Sequence, residues 1–102
     1  MAEKKVSFNE LIQSDKPVLV DFFATWCGPC QAMGPVLHDL ASDLGEDGKI
    51  IKIDIDKNRA VANHFQITGV PTFMIFKEGK MLWRQSGMQS KSGLKKAMES
   101  FA

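Results

Sequence analysis

One segment of the sequence constrains the fold more than any other. Residues 18–24 are rich in β-branched and aromatic side chains, and Asp21 is their one charged member. The segment is apolar on both faces, and a strand of this kind is buried on both sides within a sheet that helices cover. The sequence therefore predicts a sheet that lies between two layers of helices.

A long amphipathic helix is predicted soon after this strand. Its apolar residues recur at the spacing of one helical face; they are Met33, Val36, Leu37, Leu40, Ala41 and Leu44. Pro29 suits a first turn and Gly45 suits a C-terminal stop, so we expect a helix over about residues 29–44. Pro35 falls inside it and predicts a kink, because an interior proline removes a backbone hydrogen bond.

The remaining segments continue the alternation of helices and strands. Further strands are predicted over residues 49–55, 72–76 and 81–85, and shorter helices over about 7–13, from Asp56 or Asn58 to 64, and from Ser90 or Ser92 onward. The first three strands alternate with helices, which predicts parallel pairing, whereas the last two form an antiparallel hairpin. We expect one domain over residues 1–102, of the α/β class, with a central mixed sheet and helices on both faces.

The balance of charge and the lack of long apolar runs limit the classes of partner that this protein is expected to bind. Thirteen Lys and Arg balance twelve Asp and Glu to a net charge of +1, whereas sequence-independent nucleic-acid binders carry a basic excess. No apolar run approaches the roughly 20 residues that cross a bilayer, and no apolar signal segment follows the first lysines. We expect a cytoplasmic protein that neither binds nucleic acid nor inserts into membranes. A periplasmic or secreted location stays open if a leader was removed.

Both cysteines of the chain, Cys27 and Cys30, lie in one Cys-x-x-Cys motif at a strand-to-helix junction. A disulfide between them closes a loop too small to add much stability. The start of a helix carries unpaired N–H groups and a partial positive charge, which favour a thiolate at Cys27. We therefore predict redox chemistry in which Cys27 is the nucleophile and Cys30, placed further inside, is the resolving thiol.

A zinc half-site is the alternative for the same motif. Zinc normally takes four ligands, of which two thiolates supply half. His38 lies eight residues after Cys30, about 12 Å further along a helix axis, and His64 has no cysteine near it in sequence. Redox chemistry is favoured, and we expect no metal site.

Asp21 is the second unusual residue, because an ionised carboxylate is costly in an apolar strand and desolvation raises its pKa. In one interpretation Asp21 exchanges a proton with Cys30 during the resolving step. In the other it is paired with Lys52 on the next strand. The two interpretations are compatible, and both stay open.

The motif Trp26-Cys27-Gly28-Pro29-Cys30, between an apolar strand and an amphipathic helix, closely resembles the thioredoxin family. Further matches extend over nearly the whole chain; they are Pro35, Lys52 within Lys-Ile-Asp-Ile-Asp, Gly69-Val70-Pro71-Thr72, Phe76-Lys77-Glu78-Gly79 and Gly87. The resemblance implies a thioredoxin fold with four to five strands. The family's edge strand is shrunk to about residues 4–6 here, or missing.

The resemblance also implies a function. It is that of a protein-disulfide reductase, with no bound cofactor, recharged from NADPH by a separate flavin enzyme, thioredoxin reductase. Asp21 and Lys52 would handle the proton beneath the cysteines, and Pro71 would be cis and lie against them. The Gly-Pro pair between the cysteines matches the family's reducing branch.

A shallow substrate groove is implied as well. Its lining would be Trp26, Gly28, Pro29, Val70, Gly87 and Met88, although turn formation and ordinary packing also explain these residues. A small groove suits transient complexes with disulfide-containing proteins, so we expect a monomer. Two other functions stay open: an oxidase or isomerase in an oxidising compartment, and a partner subunit without turnover.

Overall fold

The computed structural model describes residues 7–102, and their elements follow the predicted order. The helices are α1 (Phe8–Leu11), α2 (Gly28–Leu44), α3 (Arg59–His64) and α4 (Lys91–Ser100). The strands are β1 (Val18–Phe23), β2 (Lys49–Asp54), β3 (Thr72–Lys77) and β4 (Lys80–Ser86). The possible edge strand at residues 4–6 lies outside the described residues.

The four described strands form one mixed sheet in the order β2-β1-β3-β4. β1 is parallel to β2, whereas β3 is antiparallel to both β1 and β4. The prediction that the first three strands are all parallel is therefore wrong for β3. A six-residue strand is about 20 Å long, whereas the six-residue α3 rises only about 9 Å, so α3 by itself does not carry the chain back along the sheet. In the structure β3 begins where β1 ends, with Thr72 opposite Phe22.

Helices cover both faces of the sheet, as the two apolar faces of β1 predict. On one face, Leu19 of β1 packs with apolar residues of α2, β3 and α4; they are Met33, Leu37, Leu40, Leu44, Phe73, Ile75, Leu94 and Met98. On the other face, Val18, Val20 and Phe22 pack with Ile12, Ile53, Met74 and Phe76, and side chains of α1 and α3 close this layer. Among the described residues, no helix is long and apolar enough to cross a membrane.

The helix ends follow the predicted signals with one exception. Ser7 and Ser90 accept hydrogen bonds from backbone N–H groups in the first turns of α1 and α4, and Gly45 ends α2 with a φ of 55°. Asn58 lies at the start of α3 but does not cap it, because its side-chain amide donates instead to the carbonyl oxygen of Asp54 at 3.0 Å. Pro35 lies inside α2 as predicted.

Candidate active site

The two cysteines form a disulfide at the start of α2, with their Cα atoms 5.2 Å apart. Cys27 occupies the N-cap position, and the backbone N–H of Cys30 donates to its Sγ at 3.1 Å. A serine or aspartate oxygen usually accepts this hydrogen bond. In the reduced state the same N–H and the helix dipole favour a thiolate on Cys27. The residues are equally buried, each 5% exposed, so the predicted deeper position of Cys30 is wrong for the disulfide form.

The loop between α3 and β3 faces this disulfide, and we call residues 65–71 the proline loop. The Val70–Pro71 peptide bond is cis, as the resemblance implied. The carbonyl oxygen of Val70 lies 3.6 Å from Sγ of Cys27, and the N–H of Gly87 donates to the carbonyl oxygen of Pro71 at 2.8 Å. The start of α2, the proline loop and the end of β4 therefore meet at one place. The antiparallel direction of β3 is what brings the loop there.

Exposed apolar side chains flank the disulfide. Trp26 is 69% exposed and Met88, which follows Gly87, is 55% exposed. Gly28 and Pro29 are exposed in the first turn of α2. These positions agree with the predicted groove, although their role in substrate binding stays a prediction.

Two polar contacts at the site were missed by sequence reasoning. The indole Nε1 of Trp26 donates to Oδ2 of Asp56 at 2.9 Å, so Asp56, which the sequence suggested as the start of a helix, orients the tryptophan instead. Nε2 of Gln31 donates to the carbonyl oxygen of Thr25 at 2.9 Å and closes the turn before the cysteines. No local pattern signals the first contact, because thirty residues separate its partners.

Asp21 is fully buried. It lies on the face of β1 that packs against α2, two residues after Leu19. Among the described residues, neither carboxyl oxygen has a hydrogen-bond partner. Burial raises the pKa of Asp21 to about 6, and the positive charge of Lys52 opposes this rise.

Lys52 lies directly opposite Asp21 in the register of β1 and β2. Within residues 7–102 the two side chains form no salt bridge. The ammonium group of Lys52 lies instead over the ring of Phe23, 5.1 Å from its centroid. The interpretation of a direct ion pair is therefore wrong, and Lys52 acts on Asp21 through its electric field.

The histidines do not join the cysteines in a metal site. His38 is exposed on α2, and His64 in the last turn of α3 packs edge-on against the ring of Phe65 at a centroid distance of 4.8 Å. In the part of the chain that the structure describes, no three His, Cys, Asp or Glu side chains are grouped to hold a metal ion.

The site can therefore switch between a dithiol and a disulfide without loss of the fold, because the two apolar layers do not depend on the sulfur–sulfur bond. Such a protein is a thiol–disulfide oxidoreductase. The chain belongs to the thioredoxin family, since the family model described as Thioredoxin matches residues 1–100.

Individual relatives agree with this assignment. The chain is 48% identical over 95 residues to the chloroplastic thioredoxin Y of Oryza sativa, a match that covers 92% of this chain and 56% of that protein. It is 44% identical over 104 residues to a thioredoxin-like protein of Synechocystis, with 99% of each chain covered. It thus spans about half the length of the first relative and nearly all of the second.

A solved structure with the same fold is a mutant thioredoxin from Halobacterium salinarum. It superimposes with a TM-score of 0.85 at 35% sequence identity, covering 97% of this chain and 86% of that chain. The thioredoxin fold predicted from the sequence is therefore confirmed.

Proposed function

We propose that this protein reduces disulfides in other proteins through the Cys27–Cys30 pair. The Cys27 thiolate attacks one substrate sulfur, forming a mixed disulfide and releasing the other substrate sulfur as a thiolate, which takes up a proton. The Cys30 thiolate then attacks Sγ of Cys27 and releases the second substrate thiol. The pair loses two electrons and the substrate disulfide gains them.

The hydrogen bond from the N–H of Cys30 to Sγ of Cys27 carries this assignment of roles. It favours negative charge on one sulfur of the pair, and only a thiolate attacks a disulfide. Cys30 lies one turn into α2 and does not occupy the cap position. Cys27 is therefore the attacking thiol, and Cys30 resolves the mixed disulfide.

Asp21 is proposed to accept the proton of Cys30 during the resolving step, with Lys52 tuning its charge. A carboxyl group whose pKa is about 6 is partly ionised near neutral pH and can both accept and return a proton. Pro71 and six residues around the disulfide are proposed to hold an extended substrate segment. The six residues are Trp26, Gly28, Pro29, Val70, Gly87 and Met88.

The electrons are proposed to come from NADPH through a flavin-containing thioredoxin reductase, so the protein itself needs no bound cofactor. A relative from Mycobacterium leprae, 41% identical over 87 residues, is named a bifunctional thioredoxin reductase/thioredoxin, which supports a partnership of this kind. We further propose a monomer that works in a reducing compartment such as the cytoplasm, in transient complexes with its substrates. The resemblance to the reducing branch of the family supports that location.

The reduction potential of the pair tests the proposed function. The protein is equilibrated in glutathione buffers of graded ratio, and the fraction of disulfide is measured. A value near about −270 mV, as for thioredoxin, supports electron donation to proteins. A value well above about −200 mV points to an oxidase or isomerase instead. A variant with both cysteines changed to serine serves as control, because an activity that survives in it would show a partner subunit without turnover.

A further inference from the structure

The proline loop is attached to β4 at both of its ends. Near the end of the loop, the N–H of Gly87 donates to the carbonyl oxygen of Pro71 at 2.8 Å. Oγ1 of Thr72 donates to the carbonyl oxygen of Gly69 at 2.7 Å and lies 3.2 Å from Oγ of Ser86. At the start of the loop, the side chain of Arg84 makes the attachment.

Arg84 bridges two consecutive carbonyl groups across the surface of the sheet. Its Nη1 donates to the carbonyl oxygen of Phe65 at 2.6 Å, and its Nη2 donates to that of Gln66 at 3.3 Å. Phe65 is the C-terminal cap of α3, so the guanidinium binds carbonyl groups at the negative end of the helix. The planar fork of arginine suits two neighbouring acceptors better than the single ammonium of lysine does.

The backbone at Gln66 has a conformation that the hydrogen bonds from Arg84 help to hold. Gln66 has a φ of 51°, in the left-handed region where glycine is usual after a helix. The N–H groups of Gln66 and Ile67 donate back to the carbonyl oxygens of Asn63 and Ala62, at 3.0 Å each. This turn sets the direction in which the chain leaves α3. Four residues after Gln66, the carbonyl oxygen of Val70 lies against the sulfur of Cys27.

We infer that Arg84 is a positioning residue for protein substrates, which acts by holding the start of the proline loop. It makes no contact with the cysteines among the described residues, so its effect passes through the backbone from Gln66 to Val70. Arg84 and Ser86 lie opposite Met74 and Thr72 and share one face of β4. Through these two side chains, β4 holds both ends of the proline loop in place relative to the disulfide.

The inference rests on the proposed function and extends it, because it makes recognition of an extended substrate separable from the redox chemistry. A loop that holds its binding arrangement for only a fraction of the time lowers the apparent affinity by that fraction. A small aromatic disulfide reacts at the sulfur without needing the loop. Loss of Arg84 should therefore weaken the reaction with a protein substrate and spare the reaction with the small disulfide.

The test compares Arg84→Ala with the native protein on insulin and on 5,5′-dithiobis(2-nitrobenzoic acid). We expect KM for insulin to rise about tenfold, with kcat, the reduction potential and the rate with the small disulfide unchanged within about twofold. Arg84→Lys should recover part of the loss. Lys80→Ala removes one positive charge from the other end of the same strand, and it should leave every rate unchanged.

Amide hydrogen exchange of Gln66 and Ile67 tests the positioning itself, whatever the enzymatic result. Their exchange should accelerate in Arg84→Ala while the amides of β1 keep their protection. Equal losses on both substrates, or unchanged exchange at these two amides, would overturn the inference. If the native protein failed to reduce insulin, the proposed function would fail while the exchange result still decided how Arg84 acts on the loop.

Discussion

Replacement of Asp21 by asparagine should stabilise the folded protein at neutral and alkaline pH. The carboxyl group is fully buried, and its oxygens lack hydrogen-bond partners among the described residues. Its pKa rises from 3.8 to about 6, mainly because burial removes water from the charged form. The difference is about two pH units, and each unit corresponds to about 1.4 kcal/mol, so ionisation of Asp21 costs the folded state about 3 kcal/mol.

The pH dependence of this cost has a definite sign. Between about pH 4 and pH 6 the folded state holds a proton that the unfolded state has lost, so stability falls as the pH rises through this range. Below the unfolded pKa of 3.8 the group is neutral in both states, and no cost remains. The gain from Asp21→Asn should therefore be near its full value at pH 8 and disappear near pH 3.5.

The assay is denaturant unfolding of the disulfide form at several pH values, with the free energy of unfolding extrapolated to water. Asp15→Asn is the matched control, because Asp15 is exposed and its substitution should change stability at no pH. A gain of about 2–3 kcal/mol at pH 8 is expected. A gain that is the same at pH 3.5 and pH 8 would refute the reasoning, since it could not come from an ionised carboxylate.

Other predictions concern the reaction and the packing. Cys30→Ser should accumulate a covalent complex with a protein disulfide, seen as a thiol-sensitive band on a non-reducing gel; absence of the complex would contradict its resolving role. Gly48→Ala should lower the free energy of unfolding by about 1–2 kcal/mol, because a Cβ there would lie 2.8 Å from a methionine Cε and 3.1 Å from a backbone carbonyl oxygen. Gly34→Ala, whose Cβ meets nothing within 4 Å, should cause no loss. Asp56→Ala should release the indole of Trp26 and lower its fluorescence anisotropy, and an unchanged anisotropy would show that the hydrogen bond does not orient it.

The sequence predicted the elements whose signals are local. The helical spacing of apolar residues identified α2, serine residues marked the starts of α1 and α4, and the two apolar faces of β1 indicated helices on both sides of the sheet. The position of Cys27 at the start of a helix also follows from local order, because the motif directly precedes an amphipathic helix. Each of these features depends on residues a few positions apart.

The direction of β3 could not be predicted from the alternation of elements. A strand-helix-strand pattern usually means a parallel crossover, and the pattern does not show at which end of the sheet the chain enters β3. The length of α3 was itself difficult to predict, because its start depends on whether Asp56 or Asn58 precedes the first turn. In the structure neither side chain caps α3.

The sequence by itself determined the secondary structure and the reactive pair, because hydrophobic periodicity, helix caps and a cysteine spacing of three residues act over short distances along the chain. Only the tertiary structure decided what surrounds that pair. Asp56 reaches Trp26 across thirty residues, and Arg84 reaches Phe65 across nineteen. Lys52 likewise lies over the ring of Phe23, and within residues 7–102 the carboxyl oxygens of Asp21 have no hydrogen-bond partner. Contacts of this kind join residues that are distant in sequence. They form only once the strands have paired and the core has packed, so they are properties of the folded molecule.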